Sequence, residues 1–117
     1  MAVDELHVLA ERLRQFAAER DWERFHSPKN LAMALIVEAA ELVEHFQWLS
    51  QQESAELPVH KREEVELEMA DILIYLVRLA DRLGVNLLDA ARRKIDINES
   101  RYPAQQVRGS ARKYTEY

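Results

Sequence analysis

The sequence predicts an all-α, four-helix bundle-like fold, and three observations carry that prediction. Only two Gly and three Pro occur in 117 residues. All five (Pro28, Pro58, Gly84, Pro103 and Gly109) lie between apolar-periodic segments rather than within them. Inside those segments apolar residues recur at the i, i+3, i+4, i+7 spacing of one helix face, not in the alternation of a strand. With 48% hydrophobic and 32% charged side chains, the composition is that of one globular domain over residues 1–117, long enough to fold without covalent staples.

A first helix is expected over residues 4–20, where Leu6, Leu9, Leu13, Phe16 and Ala17 share a face. An aromatic connector holding Trp22, Phe25 and His26 follows. Ser27 is a natural N-cap and Pro28 suits the first helical position, so a second helix opens there and is expected to reach residue 52. Residues 53–60, with Pro58, read as a loop. A third helix spans 61–83 and stops at Gly84, where a left-handed residue is needed. Asn86 caps a fourth helix running to about residue 100, with Asp89 favouring its N-terminal dipole. In residues 101–117, Arg101, Arg108, Arg112 and Lys113 face only Glu116, which makes a basic C-terminal arm: a frayed end, or a segment that contacts phosphate or crosses to another subunit.

The net charge of −5 excludes recognition of nucleic acid or an anionic membrane through an overall basic field. The absence of Cys excludes a disulfide framework, a thiolate zinc site and a Cys nucleophile. No apolar run approaches the roughly 20 residues of a membrane span, and the N-terminus lacks the basic start and apolar stretch of a signal peptide. The cytoplasm is the expected compartment.

The acidic excess is not spread evenly. On the second helix, Leu31, Leu35, Ala39, Leu42, Phe46 and Leu49 form the expected core face, and Glu38 and Glu41 project beside it at i, i+3. On the third, Val65, Met69, Ile72, Leu73, Leu76, Leu79, Ala80 and Leu83 form the apolar face, with Glu64, Glu68, Asp71 and Tyr75 along its edge. Long helices joined by a short connection pack antiparallel, which sets the pairs Glu38/Glu41 and Glu68/Asp71 opposite each other. One E-x-x-E is ordinary solvated surface; two facing pairs are not. Each close pair of carboxylates repels by on the order of 1–4 kcal/mol at 4 Å. A divalent cation removes that repulsion, and an all-oxygen set suits Mg²⁺, or alternatively Mn²⁺, rather than zinc. A di-iron bundle would need Glu-x-x-His on two helices; Leu42 precedes His45 at that spacing, so the motif is absent.

Lys94, Asn98 and Arg101 follow at i, i+4, i+7 on the fourth helix, residue types that bind phosphate. Trp22, His26, Trp48, Tyr75 and Tyr102 offer flat surfaces on which a nucleobase stacks.

Taken together, residues 20–26 (RDWERFH), Glu38-x-x-Glu41, Phe46-Gln47-Trp48, Glu68-x-x-Asp71 with Tyr75, Lys94-x-x-x-Asn98-x-x-Arg101-Tyr102-Pro103 and the RGSARKYT of residues 108–115 resemble the MazG-like all-α NTP pyrophosphohydrolases, most closely the dCTP pyrophosphatase branch. The likeness covers nearly the whole chain. It implies hydrolysis of a (deoxy)nucleoside triphosphate, dCTP or a modified dCTP, to monophosphate and pyrophosphate. It also implies Mg²⁺ held by Glu38, Glu41, Glu68 and Asp71; substrate contacts from Trp22, His26, Trp48, Tyr75, Lys94, Asn98 and Arg101; and a homotetramer, a dimer of dimers with sites completed across subunits. Glu41 is the expected residue to orient or deprotonate the attacking water. One position departs from the dCTP branch: Leu13 stands where that branch has a base-contacting His. Two alternatives stay open, the same chemistry on another triphosphate such as dATP, and a non-catalytic helical module whose acidic face docks on a basic partner.

Overall fold

The computed structural model describes residues 4–116; residues 1–3, part of the stretch read for a signal peptide, and Tyr117, the end of the basic arm, lie outside them. The elements are α1 (Glu5–Glu19), α2 (Pro28–Glu44), α3 (Gln51–Ala55), α4 (Val59–Leu83), α5 (Leu87–Arg101) and α6 (Ala104–Val107), with 3₁₀ turns at Glu23–Phe25 and Tyr114–Glu116. No strand occurs among the described residues. The chain divides into two compact units, Met1–Val85 and Asn86–Tyr117.

In the first unit α4 packs against both α2 and α1. His45, just past the end of α2, lies 3.8 Å from Glu64 and 3.9 Å from Glu68. Glu38, two turns earlier on α2, instead feels Glu68 and Asp71, further along α4. Progress along α2 thus meets α4 in reverse, and the pair is antiparallel. The innermost apolar side chains are Ala17, Leu31, Val65, Val77 and Ala80.

Local chemistry sets the helix ends. The Asp4 carboxylate accepts from the His7 N–H at 2.7 Å and opens α1. At its other end Asp21 adopts φ 54°. There the Trp22 N–H donates to the Ala17 carbonyl at 2.9 Å and the Asp21 N–H to Ala18 at 3.2 Å, the paired closure of a Schellman motif. Gly84 closes α4 in the same way at φ 68°, with the Val85 N–H on Ala80 at 2.8 Å. The Ser27 hydroxyl accepts from Asn30 before Pro28, and Asn86 accepts from Asp89 at the start of α5.

Three expectations need correction. The second helix stops at Glu44 rather than residue 52, and a turn carries Phe46 and Leu49 away from the face on which the periodicity placed them. The cause is a reciprocal capping box: the Ser50 hydroxyl accepts from the Glu53 N–H at 3.1 Å while the Glu53 carboxylate accepts from the Ser50 N–H at 2.9 Å. The same box makes residues 51–55 the separate helix α3, and α4 begins at Val59, so 53–60 is only partly a loop. Finally, Met69, Leu73 and Leu83, expected in the core face of α4, are exposed, whereas Val77 and Arg78 are buried. Because α4 is covered from two sides, its buried arc is wider than, and rotated from, the arc of highest apolar content.

Candidate active site

The i, i+3 spacing of Glu38 and Glu41 on α2 and the antiparallel approach of α4 bring Glu38, Glu41 and Glu68 together. Each offers a carboxylate oxygen, and these oxygens lie within 4.8 Å of one another. All three side chains are half-buried. One oxygen of Glu38 and one of Glu68 are shielded from solvent with no hydrogen-bond partner. Burial, contact with Glu41 and the charges of Asp71 and Glu68 push the Glu38 carboxyl up to about 7. Burial and Glu41 move Glu68 in the same direction. Mutually repelling carboxylates with orphaned buried oxygens fit a hard divalent cation, which neutralises the charge and fills the missing coordination.

Asp71, one turn beyond Glu68, is not part of this close set, but it contributes to raising both Glu38 and Glu68. Asp71 also lines a cavity of about 480 Å³ whose wall includes Arg12, Phe16, Trp22, His26, Tyr75 and Arg78. Asp71 therefore joins the acidic triad to an aromatic-walled chamber. The Schellman closure at Asp21 turns the chain so that Trp22 stacks edge-on against Phe16, with centroids 5.6 Å apart, and against His26 at 6.3 Å. A larger concavity of about 570 Å³ at the α2–α4 connection is lined by Ser50, Glu53, Pro58, His60 and Lys61. It lacks the convergence of rings and carboxylates, and Glu53 is committed to its cap.

Of the substrate residues expected from sequence, Trp22, His26 and Tyr75 share the chamber wall with Asp71. Trp48 does not join them; it is 87% exposed in the turn after α2. Lys94, Asn98 and Arg101 lie along α5 in the second unit, all exposed. Sequence reasoning missed two neighbours. His45 follows Glu41 by one helical turn and approaches Glu68, a spacing visible in the sequence. Arg78 is buried in the chamber wall, and nothing in its local sequence distinguishes it from a surface Arg.

An all-α scaffold here presents clustered carboxylates that could hold a metal ion, on antiparallel helices beside an aromatic chamber. Comparison with known proteins narrows the class. Residues 33–117 match the model of the MazG-like family. The chain is 52% identical over 104 residues to human dCTP pyrophosphatase 1 and 50% identical to the mouse protein of that name. Each match covers 87% of this chain and 61% of the relative, so the chain spans less than two thirds of the length of these curated relatives. A crystal structure of a pyrophosphatase from Archaeoglobus fulgidus superposes with a TM-score of 0.82 at 41% identity, covering 88% of this chain and 96% of that one. The chain belongs to the MazG-like family.

Proposed function

We propose that this chain is a divalent-metal-dependent nucleoside triphosphate pyrophosphohydrolase, a single MazG-like domain that cleaves dCTP or a modified dCTP between the α- and β-phosphates in cytoplasmic nucleotide metabolism. The observation that supports the reading best is the Glu38, Glu41 and Glu68 triad joined through Asp71 to the aromatic chamber. The relatives named as pyrophosphatases support the reaction class.

Glu38, Glu41 and Glu68, with Asp71, would hold Mg²⁺, or alternatively Mn²⁺. Bound there, the ion supplies charge neutralisation at phosphate oxygens and a more acidic water. Glu41 orients a water for in-line attack on the α-phosphorus and takes its proton, while the bond to the bridging oxygen breaks and pyrophosphate leaves. Trp22, His26 and Tyr75 wall the base chamber and exclude water from it. Trp48, open to solvent here, is suited to close over the substrate from its turn. Lys94, Asn98 and Arg101 form the phosphate-binding row, serving this chain's substrate or that of another copy in a homotetramer.

The test is a triphosphate panel with Mg²⁺ in which nucleoside monophosphate is separated from diphosphate. The expected products are dCMP and pyrophosphate, with turnover abolished by a chelator. Glu41→Gln should lower kcat by about 10²-fold or more, and Glu38→Gln and Asp71→Asn should raise the Mg²⁺ requirement. Diphosphate as product would overturn the cleavage site. Wild-type metal dependence in the two ligand variants would overturn the metal assignment.

A further inference from the structure

Arg78, on α4, has only 4% of its side chain exposed. Burying a guanidinium is expensive unless its donors are satisfied, and here the satisfaction is incomplete. Nη1 donates to Asp81 at 3.3 Å, but Arg14 engages Asp81 more closely, at 2.6 and 3.1 Å. Nη2 is shielded from solvent and has no acceptor among the described residues. An apolar side chain of similar length would fill the space without a buried charge, so packing alone gives no reason for an Arg at this position. What the Arg supplies that an apolar chain does not is its remaining bond, from Nε to His26 Nδ1 at 3.2 Å.

That bond has a definite chemical consequence. A guanidinium only donates, so the ring nitrogen that receives its N–H must present a lone pair. His26 is then a neutral ring with its proton on Nε2, because an imidazolium would set one N–H against another. The local charges act in the same sense: burial first, then Arg78 and Arg82 on α4, push the His26 pKa below its ordinary value, against a smaller opposite pull from Glu23. Trp22 fixes the ring from another side, edge-on at 6.3 Å. Nε2, across the ring from Nδ1, has no partner among the described residues and, unlike Arg78 Nη2, is not shielded from solvent. The side on which it opens is the aromatic chamber, which His26 lines. The second concavity that Arg78 lines, with Arg14, Glu23, Asp81 and Arg82, does not include His26.

The chamber wall also holds a carboxylate, Asp71, and a second cation, Arg12, which is exposed on α1. An anionic group entering the chamber has Arg12 to meet. A neutral ring offering a single N–H adds no charge, and beside the rings of Phe16, Trp22 and Tyr75 it suits an uncharged acceptor on a flat ligand. Resting on the triphosphate reading above, we propose that Arg78 is a positioning residue that acts through His26, its bond to Nδ1 fixing Nε2–H as a donor to an acceptor atom at the edge of the nucleobase in the chamber. Arg78 itself does not touch the substrate.

The experiment joins a double-mutant cycle to NMR. KM for the triphosphate turned over best is measured for the wild type, Arg78→Met, His26→Phe and the double variant. Each single variant should raise KM about fivefold, the worth of one neutral hydrogen bond, with kcat less affected, and the double variant should match His26→Phe alone. Losses that multiply to about 25-fold would mean that Arg78 supports the fold by a route that does not pass through His26. That result, or an unchanged KM in either single variant, would overturn the proposal. In spectra of the isotope-labelled wild type, the His26 ring should carry its proton on Nε2 and stay mostly neutral at pH 6.5, and its titration should move up in Arg78→Met. Saturating monophosphate of the same nucleoside should slow solvent exchange of the Nε2 proton. An imidazolium at that pH, a ring protonated at Nδ1, or an exchange rate that the monophosphate leaves unchanged overturns the role of His26 and Arg78 together. The wild-type spectra decide the matter where Arg78→Met does not fold. Turnover with multiplying KM losses overturns the positioning role alone. Absence of turnover on every triphosphate overturns the hydrolase reading and this role with it.

Discussion

Glu38 is the most perturbed carboxyl of the site, and its behaviour with pH has a definite sign. Its folded-state pKa, about 7, lies above the unfolded value of 4.5. The unfolded chain therefore releases this proton first, and folding is favoured most below the unfolded value and progressively less as pH rises through about 7. Without metal, the melting temperature should fall between pH 5 and pH 8. Partial access of solvent to the carboxyl limits the loss to about 1–2 kcal/mol. Glu38→Gln should flatten the decline, and Mg²⁺ at pH 8 should reverse it, both readable by calorimetry. Apparent Mg²⁺ affinity should weaken below pH 7, where protons compete for the same oxygens. Asp81 has the opposite sign. Arg14 holds its carboxyl below the ordinary value, so the stability it contributes is complete above 3.8 and is lost as pH falls through the depressed value. Asp81→Ala strands the buried charge of Arg78 and should cost about 3 kcal/mol in denaturant unfolding, more than loss of the exposed Arg14.

The helix ends are specified more tightly than the helix faces. Gly84 sits at φ 68° with open space where a Cβ would stand, so the cost of Gly84→Ala is conformational alone. It should be about 1 kcal/mol, with Gly84→Asn losing less. Asp21 holds the same left-handed geometry without being Gly, and Asp21→Gly should leave stability equal or slightly higher, whereas Asp21→Val should cost about 1–2 kcal/mol. Because Trp22 is the residue after that turn, Asp21→Val should also raise KM for triphosphate by displacing a chamber wall, which steady-state kinetics would read. Ser50→Ala removes one bond of the capping box and should cost about 1 kcal/mol.

At the scale of the whole molecule, the apolar surface is the outstanding feature. Met33, Ile36, Val37 and Val43 on α2 and Leu67, Met69 and Leu73 on α4 are all exposed. An amphipathic helix with one buried face would not carry them. They are the surface on which the proposed homotetramer would be built. The protein should sediment at four chain masses, and a charge at the centre of the α2 face, Ile36→Glu, should shift it to smaller species. If sites are completed across subunits, turnover should fall with assembly; full activity in a dispersed variant would refute that dependence. No helix among the described residues is long and apolar enough to cross a membrane, so these residues do not form a helical span.

The sequence by itself determined the helical class, most of the helix ends and the three acids that the fold brings together, Glu38, Glu41 and Glu68. Those depend on short-range chemistry: breakers between segments, caps such as Ser27 and Asn86, the left-handed stop at Gly84, and carboxylates at i, i+3. Tertiary structure decided what short-range chemistry does not encode. Apolar periodicity carried the second helix too far because the capping box at Ser50 and Glu53 outweighs two further apolar positions. Hydropathy placed Met69 and Leu73 inside and gave no reason to bury Arg78, since the buried arc of α4 is set by two neighbouring helices rather than by its own composition. Only the packing separates Asp71, a residue of the chamber wall, from the triad of Glu38, Glu41 and Glu68, and only the packing brings Arg78 and His26 together across 52 residues of sequence. Charge type is written in the chain, but which charges share a dielectric cavity is a property of the fold.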